Sequence, residues 1–515
     1  MKAFAMVLLF SATTAGAAIR EVTLLGKGLP FVTFNITVRV GAAHDPQGKE
    51  GLAALTARLM REGGVSAFHV GGPPLAARDR ENIEEELFPR AAEIEAHVGR
   101  EQTSWRVTVS EKDALPVADI LAQMLAAPAF NELELERIRA EMLEEVGTRF
   151  PREDQEELGK AALERVMFGV THPYAHIIEG TVSGLKAIQI GDVKQFWAAR
   201  YNRAVLVVGL AGAYTTALRQ RLQGRLKALP AASAAPLPVV PERAVRRAPE
   251  LLLVKGDFPA VGVHLGHPIA FRRGDMEFPA LYTAATAFGK HRSFVGRLMK
   301  NVRELRGLNY GAYAYVEEFP DGGLNLQEPT QAGRTRQAFA VWGRPTPVEN
   351  GCFLLRQLHR EVESLAVRGP GGGLTASEFD LGKSHLTGSI PLLGMALARR
   401  LGYAIDGIFY GVPGDPLAWL RSGVNRLTRP QVNTLLRSVI HPQDLSIVVT
   451  TPDPERFKRE ILGGRCDIHY AAGVEKDQAH RQEDERIAKH QVPLVAEHIR
   501  IIEAVELVRG LSPEK

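Results

Sequence analysis

The feature that most restricts this chain is a repeated order of elements. Phe31–Val40 reads as a strand leading to a helix over Glu50–Met60, and Val261–Ile269 reads as a strand leading to a helix over Phe278–Phe288. Later in the first copy, Ile190-Gly191-Asp192-Val193 starts a helix that ends near Tyr201, and Ala204–Gly212 (AVLVVGLAG) reads as a buried strand. The match in the second copy is a helix starting over Leu427–Val432 and a buried strand over Asp444–Thr451 (DLSIVVTT). These matches recur at roughly 230–240 residues, far beyond the period of a solenoid repeat. The chain therefore reads as a duplicated unit. Strands and helices mix in each copy without regular βαβ alternation, which makes the fold class α+β.

Residues 229–250 (LPAASAAPLPVVPERAVRRAPE) are dominated by Pro and Ala and keep no apolar period, so they read as a semi-extended linker. They separate an N-terminal half, residues 18–228, from a C-terminal half, residues 251–463. The charged, less periodic stretch 464–515 reads as an extension of uncertain structure. With 45% hydrophobic and 24% charged residues the composition is that of an ordinary globular protein. A formal net charge of +4 with no basic stripe argues against a nucleic-acid partner.

Residues 1–17 read as a secretory signal peptide, with Lys2 as the charged start, Ala3–Phe10 as a short apolar run and Ala15-Gly16-Ala17 as the cleavage site. A buried first strand or a misassigned start codon is the other reading. The apolar run is too short to span a bilayer and no later stretch is long enough, so no transmembrane segment is expected. With the signal removed, the mature chain is expected to be periplasmic or secreted. The two cysteines, Cys352 and Cys466, have no metal-ligand spacing; in an oxidising compartment they can pair, which their spacing does not decide.

Residues 48–64, GKEGLAALTARLMREGG, place Leu52, Leu55 and Leu59 on one helical face, and Gly63 and Gly64 stop the helix. The wider segment VRVGAAHDPQGKEGLAALTARLMREGG is followed in order by HPYAHIIEGTVSGLKAI, DVKQFWAARYNRAVLVVGLAG and SFVGRLMKNVRELRGLNYGAYAY. Four such pieces on a duplicated chain resemble the insulinase/pitrilysin family of zinc metallopeptidases over Arg20 to Pro454. The resemblance implies two homologous halves, each with an antiparallel sheet packed by helices, forming a clam-like chamber for peptides. It also sets this helix against the family's H-x-x-E-H motif, whose two His ligate zinc from one helix face while the Glu deprotonates the attacking water. Here the two His positions hold Ala54 and Arg58, and the Glu position holds Ala57. The family's third ligand falls in Glu141–Glu145 (EMLEE), with Glu145 the best match.

Alanine has no donor atom, and a guanidinium stays protonated and cannot ligate a metal. A unit charge repels another by about 4 kcal/mol at 4 Å and an effective dielectric of 20, and a divalent ion doubles that. No metal is expected on this chain, and Arg58 is expected to form a structural ion pair with Glu145 or Glu144.

In the second half, Arg297–Arg306 reads as a helix stopped by Gly307, and Leu308-Asn309-Tyr310 reads as the start of a strand. The resemblance implies that Arg303 and Tyr310 are a substrate-binding pair, facing the zinc site from the opposite half and stabilising the developing oxyanion. A helix-end arginine suited to the macrodipole and an ordinary strand tyrosine are the bland alternatives. Tyr313 and Tyr315 read as core or chamber wall. His264 and His267 sit three apart on a strand and point to opposite faces, so they are poor joint ligands. His172 and His176 flank a turn that looks structural, and Phe68–Arg80 reads as a polar insertion near the site helix.

Three functions are compatible with these residues. The first is a zinc-less homologue that binds peptides and pairs with a zinc-bearing homologous peptidase subunit, zinc being on that partner and no catalytic residue acting on this chain alone. The others are a non-catalytic peptide- or protein-binding scaffold and a metallopeptidase active alone through a different site.

Overall fold

The structure, a computed structural model, describes residues 19–510 apart from 27, 29, 233–237, 243–248, 318–329 and 370. The expected signal peptide lies outside the described residues, as does part of the 229–250 linker. Five strands build the first sheet: β1 (Arg20–Leu25), β2 (Phe31–Val38), β3 (Glu95–Val98), β4 (Thr103–Ser110) and β5 (Leu206–Gly212), in the order β1-β5-β2-β4-β3. Six build the second: β6 (Glu250–Lys255), β7 (Val261–Ile269), β8 (Ala312–Tyr315), β9 (Gln337–Thr346), β10 (Ser446–Thr451) and β11 (Ile499–Glu503), in the order β11-β6-β10-β7-β9-β8. Without β11 the two orders are the same. In both, β1 with β5 and β6 with β10 are parallel, β11 adds a further parallel pairing on β6, and the remaining pairs are antiparallel. The duplication legible in the sequence is thus a duplication of topology.

Period-two alternation explains how each sheet serves two layers. On β2, Val32, Phe34, Ile36 and Val38 are buried in the first half's core. Asn35 and Thr37 lie on the other face, where the Gln331 amide donates to Asn35 Oδ1 at 2.7 Å and to Thr37 Oγ1 at 2.5 Å. That face belongs to the seam between the halves.

Two helices cross the seam. Gln155–Phe168, from the first half, packs on β7 and β10; Leu397–Tyr410, from the second, packs on β1, β2 and β5. Glycines permit the close approach. A Cβ on Gly159 would lie 2.1 Å from the His264 ring, and one on Gly209 would lie 3.0 Å from Ile405. Charged contacts follow the same route: Arg334 meets Glu164 at 2.6 Å, Arg100 shares that carboxylate, and Arg344 meets Glu156 at 2.7 Å. A groove of about 440 Å³ remains there, lined in part by Thr33, Asn35, Arg106, Thr330, Gln331 and Arg399.

The stretch after Gly463, expected to be of uncertain structure, is built into the second half. It forms a helix over Gln478–Lys489 and supplies β11 to the sheet edge. Ile487, Val492 and Ile499 enter the second core, and Cys466 is disulfide-bonded to Cys352. Buried Arg356 donates to the carbonyls of Ala488 (2.6 Å) and Gly464 (3.0 Å). The apolar anchors are spaced widely among charges, so no periodicity revealed them. The expected strand Val261–Ile269 is found with those bounds. The Glu132 helix is α-helical to Glu144 and continues as π-helical turns over Glu145–Arg149. Among the described residues no helix is long and apolar enough to cross a membrane.

Candidate functional site

The site helix runs from Leu52 to Glu62. Its first turn is held by Asp45, whose carboxylate accepts the N–H groups of Gly51 and Ala53, each at 2.7 Å. Gly51 precedes it at φ +106°, where a side chain would also meet the Glu179 carbonyl at 2.6 Å, so glycine is required there. Leu52, Leu55, Leu59 and Met60 are buried in the first core, as the spacing predicts. Ala54 and Ala57 join them at 7% and 1% exposure. Two of the positions where a zinc motif needs donors therefore present methyl groups packed in the apolar core.

Arg58 leaves the helix at the edge of this face. Its Nε donates to Glu62 at 3.1 Å and its Nη2 to Glu141 at 2.6 Å. Arg137 meets the same two carboxylates, each at 2.7 Å, and also Glu134 at 2.8 Å. Two arginines and two glutamates thus close a ring between the site helix and the acidic helix Glu132–Glu144. The expected pairing of Arg58 with Glu145 or Glu144 is not found. Glu145 lies one turn farther on, exposed in the π-helical segment and outside any ion pair among the described residues, while Glu144 accepts the Thr148 hydroxyl at 3.2 Å. Residues 141 and 145 share a helix face, and the crossing of the two helices brings 141 to Arg58.

Electrostatics favour the ring as drawn. Burial opposes the Arg58 charge, but hydrogen bonds to Glu141 and Glu62 outweigh it and raise its pKa. Burial likewise opposes the charge on Glu62, and Arg137 and Arg58 overcome it, so its pKa falls. The Arg58 hydrogen bond leads the lowering at Glu141. A zinc ion does not fit here: the helix offers two alanines and a paired guanidinium. Among the described residues no three His, Cys, Asp or Glu side chains come together as a metal would need.

The sequence reading missed Glu62 and Arg137, and named Glu141 only as the start of the third-ligand region. Their i,i+3 and i,i+4 spacings were visible as helix-surface pairs; the contact between helices was not.

In the second half, Arg303 and Tyr310 do come together. The Arg303 guanidinium lies 4.4 Å from the Tyr310 ring centre and 4.9 Å from that of Phe294. Arg344 approaches the Tyr310 ring at 5.2 Å. Arg303 lies in π-helical turns, Met299–Glu304, within the stretch expected to be a regular helix, and Gly307 follows at φ +64°. The strand expected from Leu308 begins instead at Ala312. Asn309 delays it, its side chain accepting the Gly311 N–H at 3.0 Å and donating to the Arg344 carbonyl at 2.7 Å. Tyr310 consequently stands outside the strand and is 60% exposed. No hydrogen bond, ion pair or ring contact among the described residues links Arg303 or Tyr310 to Ala54, Ala57, Arg58 or Glu145.

Tyr313 and Tyr315 are buried, and Tyr315 Oη lies 2.6 Å from His291 Nδ1. His264 packs against Gly159, and His267 accepts the His441 N–H at 3.3 Å. His172 meets the Pro241 carbonyl and the Tyr174 N–H, each at 3.0 Å, a structural turn. Within Phe68–Arg80, Val70 and Pro73 give their carbonyls to the fully buried Arg225 at 3.0 and 2.8 Å.

The sequence model of the insulinase family, peptidase family M16, matches residues 26–169, which include both helices of the ion ring. Among curated relatives, a non-peptidase homolog from Helicobacter pylori is 23% identical over 82% of this chain and 89% of its own length. An uncharacterized zinc protease from Streptomyces coelicolor is 25% identical over 92% and 91%. Among solved structures, a peptidase M16 inactive domain from Pseudomonas fluorescens superposes with a TM-score of 0.71 at 22% identity, covering 86% of this chain and 97% of that one. The periplasmic protease PqqL from Escherichia coli matches 92% of this chain with 49% of its own, at a TM-score of 0.65 and 14% identity.

Proposed function

We propose that this chain is a member of the insulinase family, peptidase family M16, that lacks the family's zinc motif, binds peptides and pairs with a zinc-bearing homologous subunit in proteolysis. The observation that carries the proposal is the contrast between its two candidate sites. The helix that would hold a metal is closed by Ala54, Ala57 and the Arg58 ring. The Arg303–Tyr310 stack remains open to solvent. A guanidinium fork and a phenol can stabilise negative charge developing on a peptide carbonyl. They need a metal and a base supplied from elsewhere, and a zinc-bearing homologue has both.

The Cys352–Cys466 disulfide supports a periplasmic or secreted location, since structural disulfides are rare in reducing compartments.

Reconstitution tests the proposal. The full-length chain is mixed with a purified zinc-bearing homologue and peptide hydrolysis is followed. The pair should exceed either chain alone, and Arg303→Ala should lower the joint kcat by about 10²–10³, the loss typical of one oxyanion donor. Joint activity indifferent to Arg303→Ala would refute the shared site. Peptide binding without gain of hydrolysis would favour the scaffold reading.

A further inference from the structure

Arg303 differs from the arginines around it. Arg297 is held by Glu378 at 2.6 Å, Arg306 by Asp484 at 2.8 Å and Arg344 by Glu156 at 2.7 Å. Arg303 has no carboxylate partner among the described residues. It is fixed instead by two aromatic faces, Phe294 and Tyr310, and both rings are largely open to solvent, at 65% and 60%.

Stacking a guanidinium on rings positions its plane but does not consume its in-plane N–H donors. Those donors form a fork that matches a carboxylate in two parallel hydrogen bonds. The neighbouring arginines hold the carboxylate that Arg303 lacks among the described residues. Lys300, one turn earlier and exposed, adds positive charge nearby.

From this arrangement we infer that Arg303 is a carboxylate receptor, selecting peptides that present an acidic side chain or a free C-terminus. The inference rests on the peptide-binding reading above and names its substrate class. Arg303 is the selecting group, and Phe294 and Tyr310 hold its fork toward solvent; a carboxylate takes one edge of the guanidinium and leaves its other N–H donors and the Tyr310 hydroxyl for the peptide carbonyl. The Arg344–Glu156 pair walls the Tyr310 ring and contributes little net charge.

The test uses the full-length chain without any partner. Four fluorescent peptides of one sequence are titrated: Glu or Gln at one internal position, each with a free or an amidated C-terminus. The peptide carrying the preferred carboxylate should bind about tenfold or more tightly than its neutral analogue, as expected for a charge-assisted pair. A Glu/Gln difference assigns the side chain as the source, and a free/amide difference assigns the terminus. The preference should shrink with added salt and vanish in Arg303→Gln. Tyr310→Leu, which keeps the charge but removes one wall, should leave an intermediate preference. Equal affinity for all four peptides, no binding of any, or a preference that survives Arg303→Gln would overturn the inference. Melting curves establish that the variants are folded. If peptide selectivity is absent while Arg303→Ala still abolishes joint proteolysis, the pairing proposal stands without it. Selectivity with undiminished joint proteolysis leaves the opposite result.

Discussion

Replacing Arg58 by alanine removes one of the two cations shared by Glu62 and Glu141. The ring is partly exposed, so solvent screens it, and the expected loss is about 0.5–1 kcal/mol at neutral pH. The pH dependence has a definite sign. Glu62 and Glu141 have folded-state pKa values below their ordinary ones, so their contribution is present above the usual carboxylate range and is lost as pH falls through the folded values. The melting-temperature gap between wild type and Arg58→Ala should therefore close in acid and in high salt. A gap unchanged at pH 3 would mean that Arg58 stabilises the helix by packing alone. At this scale the sequence revealed three non-ligands on the site helix, because Ala54, Ala57 and Arg58 need no neighbours to be read as such. It did not reveal which acid meets Arg58, because Glu141 and Glu145 lie on one helix face and only the angle between two helices selects between them.

The Gln155–Phe168 helix makes the corresponding point for an element. Its apolar residues mark a face to be buried and not what buries it. In the folded chain the face lies on the sheet of the other half, with Gly159 against His264. Gly159→Ala should therefore destabilise the protein. Alanine is favoured over glycine in a helix by roughly 0.5–1 kcal/mol, but a Cβ 2.1 Å from a fully buried ring forces overpacking, which costs about 1–3 kcal/mol. Urea unfolding reads the net sign, and a stabilised variant would contradict the crossover packing. Strand β8 shows the limit of reading by alternation. Tyr310, Tyr313 and Tyr315 look like one strand in sequence, but the Asn309 side chain makes a turn first and leaves Tyr310 outside it.

At the scale of the molecule, duplication was the strongest signal and it survives as two sheets of one strand order. What the sequence concealed is how the copies hold each other, with a helix of each laid on the other's sheet, and how the tail is fastened. The disulfide that fastens it spans 114 residues of sequence. Closing a loop of that length is expected to stabilise the fold by about 4–5 kcal/mol through the unfolded chain. Reduction, or the Cys352→Ser/Cys466→Ser pair, should lower unfolding stability by an amount of that order, with Gln478–Lys489 and β11 the first elements to lose hydrogen-exchange protection. Equal stability with and without reductant would remove the disulfide as a structural staple.

The most direct measurement of the central claim is zinc content, taken on the purified full-length chain alone and on its reconstituted pair with a zinc-bearing homologue, alongside peptide hydrolysis in both samples. The account predicts negligible zinc and no cleavage by the chain alone, with zinc and cleavage both appearing in the pair. Stoichiometric zinc and peptide cleavage by the isolated chain would contradict it.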